Sequence, residues 1–398
     1  MVGLSSSIQE YLDAIPENRH RTLKNSTPRP GGIIERGKTR LVNFASNDYM
    51  GLALDPRLTE RAASYARDFG TGSGASRLVT GNHPAYEQIE QKLADLKGTE
   101  AALLLNSGFQ ANSTVLASLL NKNLHGGLRQ TDVLLFTDKL NHASLHFGAQ
   151  AAQVKQIRFR HNDLVHLEEL LEKSKKQPGN RIIVTESVFS MDGDILDVGR
   201  IRQLARQHDA FLYIDEAHAT GVFGEKGMGL CAGGISKDEL VLGTFGKGLG
   251  SYGAYIACSC IVRDYLINSC PGLIYATALP PQVLGAIDAA LDLVPGMEAE
   301  RQHLQDLGSF LREGLQARGI STGGSTSQII PVIIGDDATV IQVAKKLEDR
   351  GYLVGAIRPP TVPEGSGRLR ITLSAAHSHD QVSGLLESLG DILEEVRR

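Results

Sequence analysis

FLYIDEAH at residues 211–218 and LVLGTFGKGLG at 240–250 each carry a short apolar run into a polar, glycine-marked turn. A short, continuously apolar run suits a strand buried on both faces, and a glycine just beyond it lets the backbone turn sharply. The same pattern recurs outward from these two stretches, at 102–106, 133–138, 154–159, 181–187 and 253–258. Between the first five runs lie helical patterns, such as Leu164, Leu167, Leu170 and Leu171 with charged residues opposite them. Alternation of strand and helix predicts an α/β fold with a mainly parallel, seven-stranded sheet flanked by helices. Upstream, Ile89, Leu93 and Leu96 mark another amphipathic helix. Beyond Pro280 and Pro281 a long helical stretch precedes IIPVIIGD (329–336), a helix carrying Val340, Val343 and Leu347, and strands near 352–357 and 368–373. These read as a smaller C-terminal α/β domain. The expected division is an arm over 1–50, a large domain over 51–290 and a small domain over 291–398.

Composition narrows the function. The 398 residues are 41% hydrophobic, enough for a sizeable core. A net charge of -4 and the lack of a dense basic stripe argue against nucleic acid as a partner. Cys231, Cys258, Cys260 and Cys270 form no C-x-x-C pair, so neither a zinc cluster nor a disulfide framework is expected. The opening MVGLSSSIQEYLDAIPENRHR has no positive start leading into an apolar stretch, and no run reaches membrane-span length. The cytoplasm is the expected compartment, with no membrane partner.

In a parallel α/β sheet, ligands sit beyond the carboxyl ends of the strands. The polar residues expected there are Ser107 with Gly108 and Phe109, Asp138 with His142, Ser190, Asp215 with His218, and Thr244 with Lys247. Individually each is ordinary: Lys247 could be a surface charge, Asp215 a helix cap and His142 a helix-surface histidine. Together they match what pyridoxal 5′-phosphate (PLP) needs: a lysine amine for the aldehyde, an acid opposite the pyridine nitrogen, and donors for the phosphate. Gly246 and Gly248 are expected to clear side-chain bulk around Lys247. Competing motifs fail. DEAH at 215–218 lacks a P-loop, since Lys247 is followed by glycine. Gly70, Gly72 and Ala75 follow a helical pattern where a dinucleotide site needs a strand. His142 and His146 have metal-like spacing but no third ligand, so no metal is expected.

SNDYMGL (46–52), GTGSGASR (70–77), LNHASL (140–145), HND (161–163), VFSMDGD (188–194), DEAHATGVFGEKG (215–227) and TFGKGLG (244–250) together resemble the α-oxoamine synthases, over nearly the whole chain. These fold-type I PLP-dependent transferases join an amino acid to an acyl thioester with loss of carbon dioxide. The resemblance implies that Lys247 is joined to the cofactor, Asp215 pairs with the ring nitrogen, and His142 stacks on the ring and meets the substrate. It places Ser190 and His218 near the phenolic oxygen. It gives Thr244, Gly108 and Phe109 to the cofactor, and Thr277 to the phosphate of a partner subunit in a homodimer. It gives Arg370 to the amino-acid carboxylate, and Arg21 and Thr361 to the acyl substrate. AIRPPTVPEGSGRLRITLSAAH (356–377) is most similar to the branch that condenses L-alanine with a pimeloyl thioester, on acyl carrier protein or coenzyme A. A branch accepting glycine, or a PLP-binding protein without turnover, are the alternatives. Glu216 stands where aspartate or serine is frequent in this family, and Ala276 where serine is.

Overall fold

The computed structural model describes residues 3–121, 124, 133–359 and 361–397. Its strands, in chain order, begin with β1 (Thr27–Arg29), β2 (Ile33–Arg36), β3 (Thr39–Phe44), β4 (Ala101–Leu105) and β5 (Val133–Asp138). Next come β6 (Gln156–Phe159), β7 (Asn180–Glu186), β8 (Ala210–Asp215), β9 (Glu239–Thr244) and β10 (Ala254–Cys258). The last are β11 (Ile329–Gly335), β12 (Tyr352–Ile357) and β13 (Gly367–Thr372). Contacts divide the chain into Asn47–Leu304 and a second unit made of Met1–Ser46 with Gln305–Arg398.

The larger unit holds a 7-stranded sheet in the order β4-β10-β9-β8-β7-β5-β6. Every expected run is one of its strands. β6, β5, β7, β8 and β9 run parallel side by side, and β10 pairs antiparallel with both β9 and β4. The reversal has a local cause: only residues 245–253 separate β9 from β10, too short a link for the crossover helix that a parallel neighbour needs. Helices Gly108–Leu119, Ala143–Ala151, Leu164–Lys173 and Val198–Gln207 lie on the connections from β4 through to β8, whereas β8 reaches β9 through residues 216–238, which hold a single short 3-10 turn, Glu225–Gly227. Burial of Leu135, Ile183, Leu242 and Ile256 removes them wholly from water, a gain of about 1.5–3 kcal/mol for each such side chain. Helices Gly108–Leu119 and Ala143–Ala151 lie close because of Gly148, where a Cβ would come 2.9 Å from Leu116 Cβ and 3.0 Å from the Asn112 carbonyl oxygen.

The second unit is built on a 6-stranded sheet, β1-β2-β3-β12-β13-β11. β3 runs parallel to β12, with Val42 opposite Tyr352 and Phe44 opposite Val354. The first strands of the chain therefore complete the C-terminal sheet. Gly32 (φ +68) sits against the His377 ring, where any side chain would collide. Pro359 and Pro363 lie on the β12–β13 connection; Pro360 lies outside the described residues. Among the described residues, no helix is long and apolar enough to cross a membrane.

Candidate active site

The carboxyl ends of the parallel strands collect the polar residues of the larger unit. β4 leads into helix Gly108–Leu119, whose first turn is capped by the Ser107 hydroxyl accepting the Gln110 N–H at 3.3 Å. A Cβ on Gly108 would come 2.6 Å from Thr244 Cγ2, so glycine is what lets this helix start against the end of β9. Phe109 is half exposed and packs on Phe147, with ring centroids 5.4 Å apart. Buried Thr244 Oγ1 has no hydrogen-bond partner among the described residues. A helix start beside an unpaired hydroxyl is an anion site in its chemistry.

Asp215 closes β8 and is buried. Its Oδ2 accepts from Asn112 Nδ2 at 2.6 Å and its Oδ1 from the Ala217 N–H at 2.8 Å. A turn follows it and not a helix, so helix capping is not its role. His218, also buried, places Nε2 2.8 Å from Lys247 Nζ and Nδ1 2.6 Å from the Tyr49 hydroxyl. Tyr49 in turn donates to Asn47 Oδ1 at 3.1 Å. A Cβ on Gly246 would meet only an ordinary contact, whereas one on Gly248 would come 2.5 Å from the Thr220 carbonyl oxygen. Gly248 is therefore required for packing the Lys247 turn against the 215–221 turn.

His142 caps helix Ala143–Ala151, its Nδ1 2.7 Å from Ser144 Oγ. Its backbone N–H donates to Glu186 Oε1 at 2.5 Å, and Glu186 lies in register with Asp215 on the neighbouring strand. Burial pushes the Glu186 carboxyl well above the usual range, and the Asp215 charge pushes the same way. Burial also draws the His142 imidazole below its ordinary value, which Asp215 opposes and Lys247 and His146 reinforce. Lys247, Asp215, His142 and Glu186 thus share one electrostatic field.

Ser190 is buried in the loop after β7. That loop is tied down by His161, whose Nδ1 is 3.0 Å from Asp138 and Nε2 3.2 Å from Asp194, with its ring edge-on to Phe189. Thr277 is exposed; it bridges Ser76, and its carbonyl accepts from Asn106 Nδ2 at 2.7 Å. In the second unit, exposed Arg21 and Thr361 line one cavity of about 810 Å³, walled by Leu12, Ile15 and Arg358, and Arg370 is buried on β13. Sequence reading did not single out Tyr49, Asn112, Ser144 or Glu186. Tyr49 and Ser144 fall within SNDYMGL and LNHASL, but nothing local tells a contacting side chain from its neighbours. Glu216 proves to be a buried partner of Lys97, with 2.6 Å between Oε2 and Nζ, and its Oε1 accepts the Cys231 N–H. Its length spans from the Asp215 turn to the end of helix Pro84–Lys97.

The chain belongs to the aminotransferase class I and II family, whose model matches residues 39–389. The fold and family are those of PLP-dependent transferases. It is 53% identical over 398 residues to the 8-amino-7-oxononanoate synthase of Gluconacetobacter diazotrophicus, covering 99% of each chain. Among solved structures, a lysine-to-alanine variant of serine palmitoyltransferase from S. paucimobilis with a bound PLP–myriocin aldimine is 26% identical and superposes with a TM-score of 0.87, over 99% of this chain and 97% of that one. The 8-amino-7-oxononanoate synthase of Francisella tularensis is also 26% identical, with a TM-score of 0.76 over 90% and 99%. The residues present fit PLP: unpaired Thr244 Oγ1 beside a helix start for a phosphate, buried Asp215 for a pyridinium, and Lys247 for an aldehyde.

Proposed function

We propose that this protein condenses L-alanine with a pimeloyl thioester, releasing carbon dioxide, the free carrier thiol and 8-amino-7-oxononanoate for biotin synthesis. The observation carrying this reading is the Lys247–His218–Tyr49 chain beside buried Asp215, in a sequence 53% identical to a named synthase. PLP, when bound, supplies an electron sink for negative charge at the amino acid's α-carbon. Lys247 holds the cofactor and, as a free amine, takes the α-proton. Asp215, whose carboxylate oxygens accept from Asn112 Nδ2 and the Ala217 N–H, binds the ring N–H. His218 and Ser190 hold the phenolic oxygen, and the Gly108–Phe109 backbone with Thr244 holds the phosphate, joined by Thr277 of a second copy in a homodimer. His142 stacks on the ring and polarises the thioester carbonyl. Arg370 binds the alanine carboxylate, and Arg21 and Thr361 contact the acyl group or its carrier, either acyl carrier protein or coenzyme A. The enzyme works in the cytoplasm.

The test offers the purified protein alanine or glycine with a panel of acyl thioesters and identifies products by mass. The amino ketone from alanine and the pimeloyl thioester is the expected main product. Preference for glycine with acetyl-CoA would leave the reaction class and remove the biotin reading, and no product from any pair would remove the enzyme reading.

A further inference from the structure

Donor and acceptor chemistry around Asn112, which no cofactor or substrate role above includes, determines where the proton on His142 sits. Asn112 is buried in the second turn of helix Gly108–Leu119 and makes three side-chain bonds: Nδ2 to Asp215 Oδ2 at 2.6 Å, Nδ2 to Ser144 Oγ at 2.9 Å, and Oδ1 to the Tyr213 hydroxyl at 2.9 Å. An ionised carboxylate can only accept, so the amide nitrogen must face Asp215. Tyr213 agrees with this orientation: it is fully buried, burial pushes its phenol well above the usual value, and the proton it keeps is donated to Oδ1. With both amide protons placed, Ser144 Oγ is an acceptor from Asn112. The single Ser144 hydroxyl proton cannot return to an amide nitrogen. It goes to the other neighbour, His142 Nδ1, 2.7 Å away. The Ser144 backbone N–H also points at this nitrogen, at 3.3 Å. An imidazole nitrogen receiving two donors carries no proton of its own.

We propose that Asn112 and Ser144 are positioning residues that hold His142 as the neutral Nε2–H tautomer, so that the ring presents an N–H donor on the side away from its helix cap. The orienting chain starts at Asp215 and Tyr213, so the carboxylate read as the ring-nitrogen partner also decides the proton position on the histidine read as the stacking group. Such a donor suits a substrate oxygen that gains negative charge when its carbonyl is attacked, as the thioester carbonyl does. This last step rests on the proposed function; the tautomer does not.

The measurement is a long-range proton–nitrogen NMR correlation on PLP-loaded protein labelled with ¹⁵N-histidine, with His142→Asn identifying the signals. Wild type is expected to show unprotonated Nδ1 and protonated Nε2. In Asn112→Ala, Ser144 loses its donor and can accept instead, and in Ser144→Ala the hydroxyl is gone. In both, the two nitrogen shifts should move toward each other as the Nδ1–H form becomes populated. Condensation kcat should fall about tenfold with the alanine KM unchanged. A wild-type Nδ1–H or doubly protonated ring would overturn the proposal, and so would a wild-type spectrum in both variants, which would leave the backbone cap as sole determinant. If Asn112→Ala does not fold, Ser144→Ala, which removes one oxygen, decides. Preference for another amino acid or acyl group would sink the proposed substrate reading and leave the tautomer result standing.

Discussion

Asp215 shows how one side chain acquires a chemical role from its surroundings. Its carboxylate is buried, receives an N–H from Asn112 and another from Ala217, and faces across the strand pair a Glu186 that burial holds toward its neutral form. Two carboxyls buried side by side are costly to ionise together, and it is Glu186 that burial and the Asp215 charge push upward. Asp215→Asn keeps the shape and loses that charge. Exchange of the alanine α-proton with solvent is expected to drop on the order of 100-fold, while stability falls by only about 1–3 kcal/mol. Proton exchange followed by NMR beside a denaturant titration checks both, and wild-type exchange in the variant would remove Asp215 from the chemistry.

At the scale of elements, the site depends on ties between strand ends. His161 joins the ends of β5 and β6 to the 188–195 loop through Asp138 and Asp194. Burial lowers its pKa, but the two carboxylates outweigh this and push it up to about 10. A histidine raised on folding stabilises most below its unfolded pKa, roughly 6.5, and loses that contribution as pH rises through the folded value. Wild type should therefore exceed His161→Gln in denaturant midpoint most at pH 6, with the gap closing by about pH 10. A gap independent of pH would mean the ring acts by packing alone. The Arg21–Thr361 cavity is a second element-scale device, placed on the rigid proline-bearing connection after β12. Thr361→Val should raise KM for a pimeloyl thioester by about tenfold, one hydrogen bond's worth, with alanine α-proton exchange unchanged. Equal losses in both assays would contradict an acyl role.

For the whole molecule, the exposed position of Thr277, held by the Ser76 bridge and Asn106, suits a residue that serves a neighbouring copy. A homodimer is expected in sedimentation. Thr277→Val should weaken PLP affinity, and a ligand that binds the folded dimer should make its melting temperature rise with PLP concentration. A fully active monomer would rule out shared sites.

The amino-acid order alone determined the alternation of buried strand and amphipathic helix, the seven strands of the main sheet, and the polar residues at their ends. These are features of short windows, where side-chain period and glycine turns act within a few residues. It could not reveal that β3 pairs with β12, or that β10 reverses, until strand boundaries were placed. Nor could it show that Tyr49 reaches His218 across 169 positions, Asn112 reaches Asp215 across 103, or Lys97 reaches Glu216 across 119. Those contacts exist only once the sheet has ordered its strands. The residues involved are unremarkable polar side chains in their own windows, and only burial beside a distant partner makes each of them necessary.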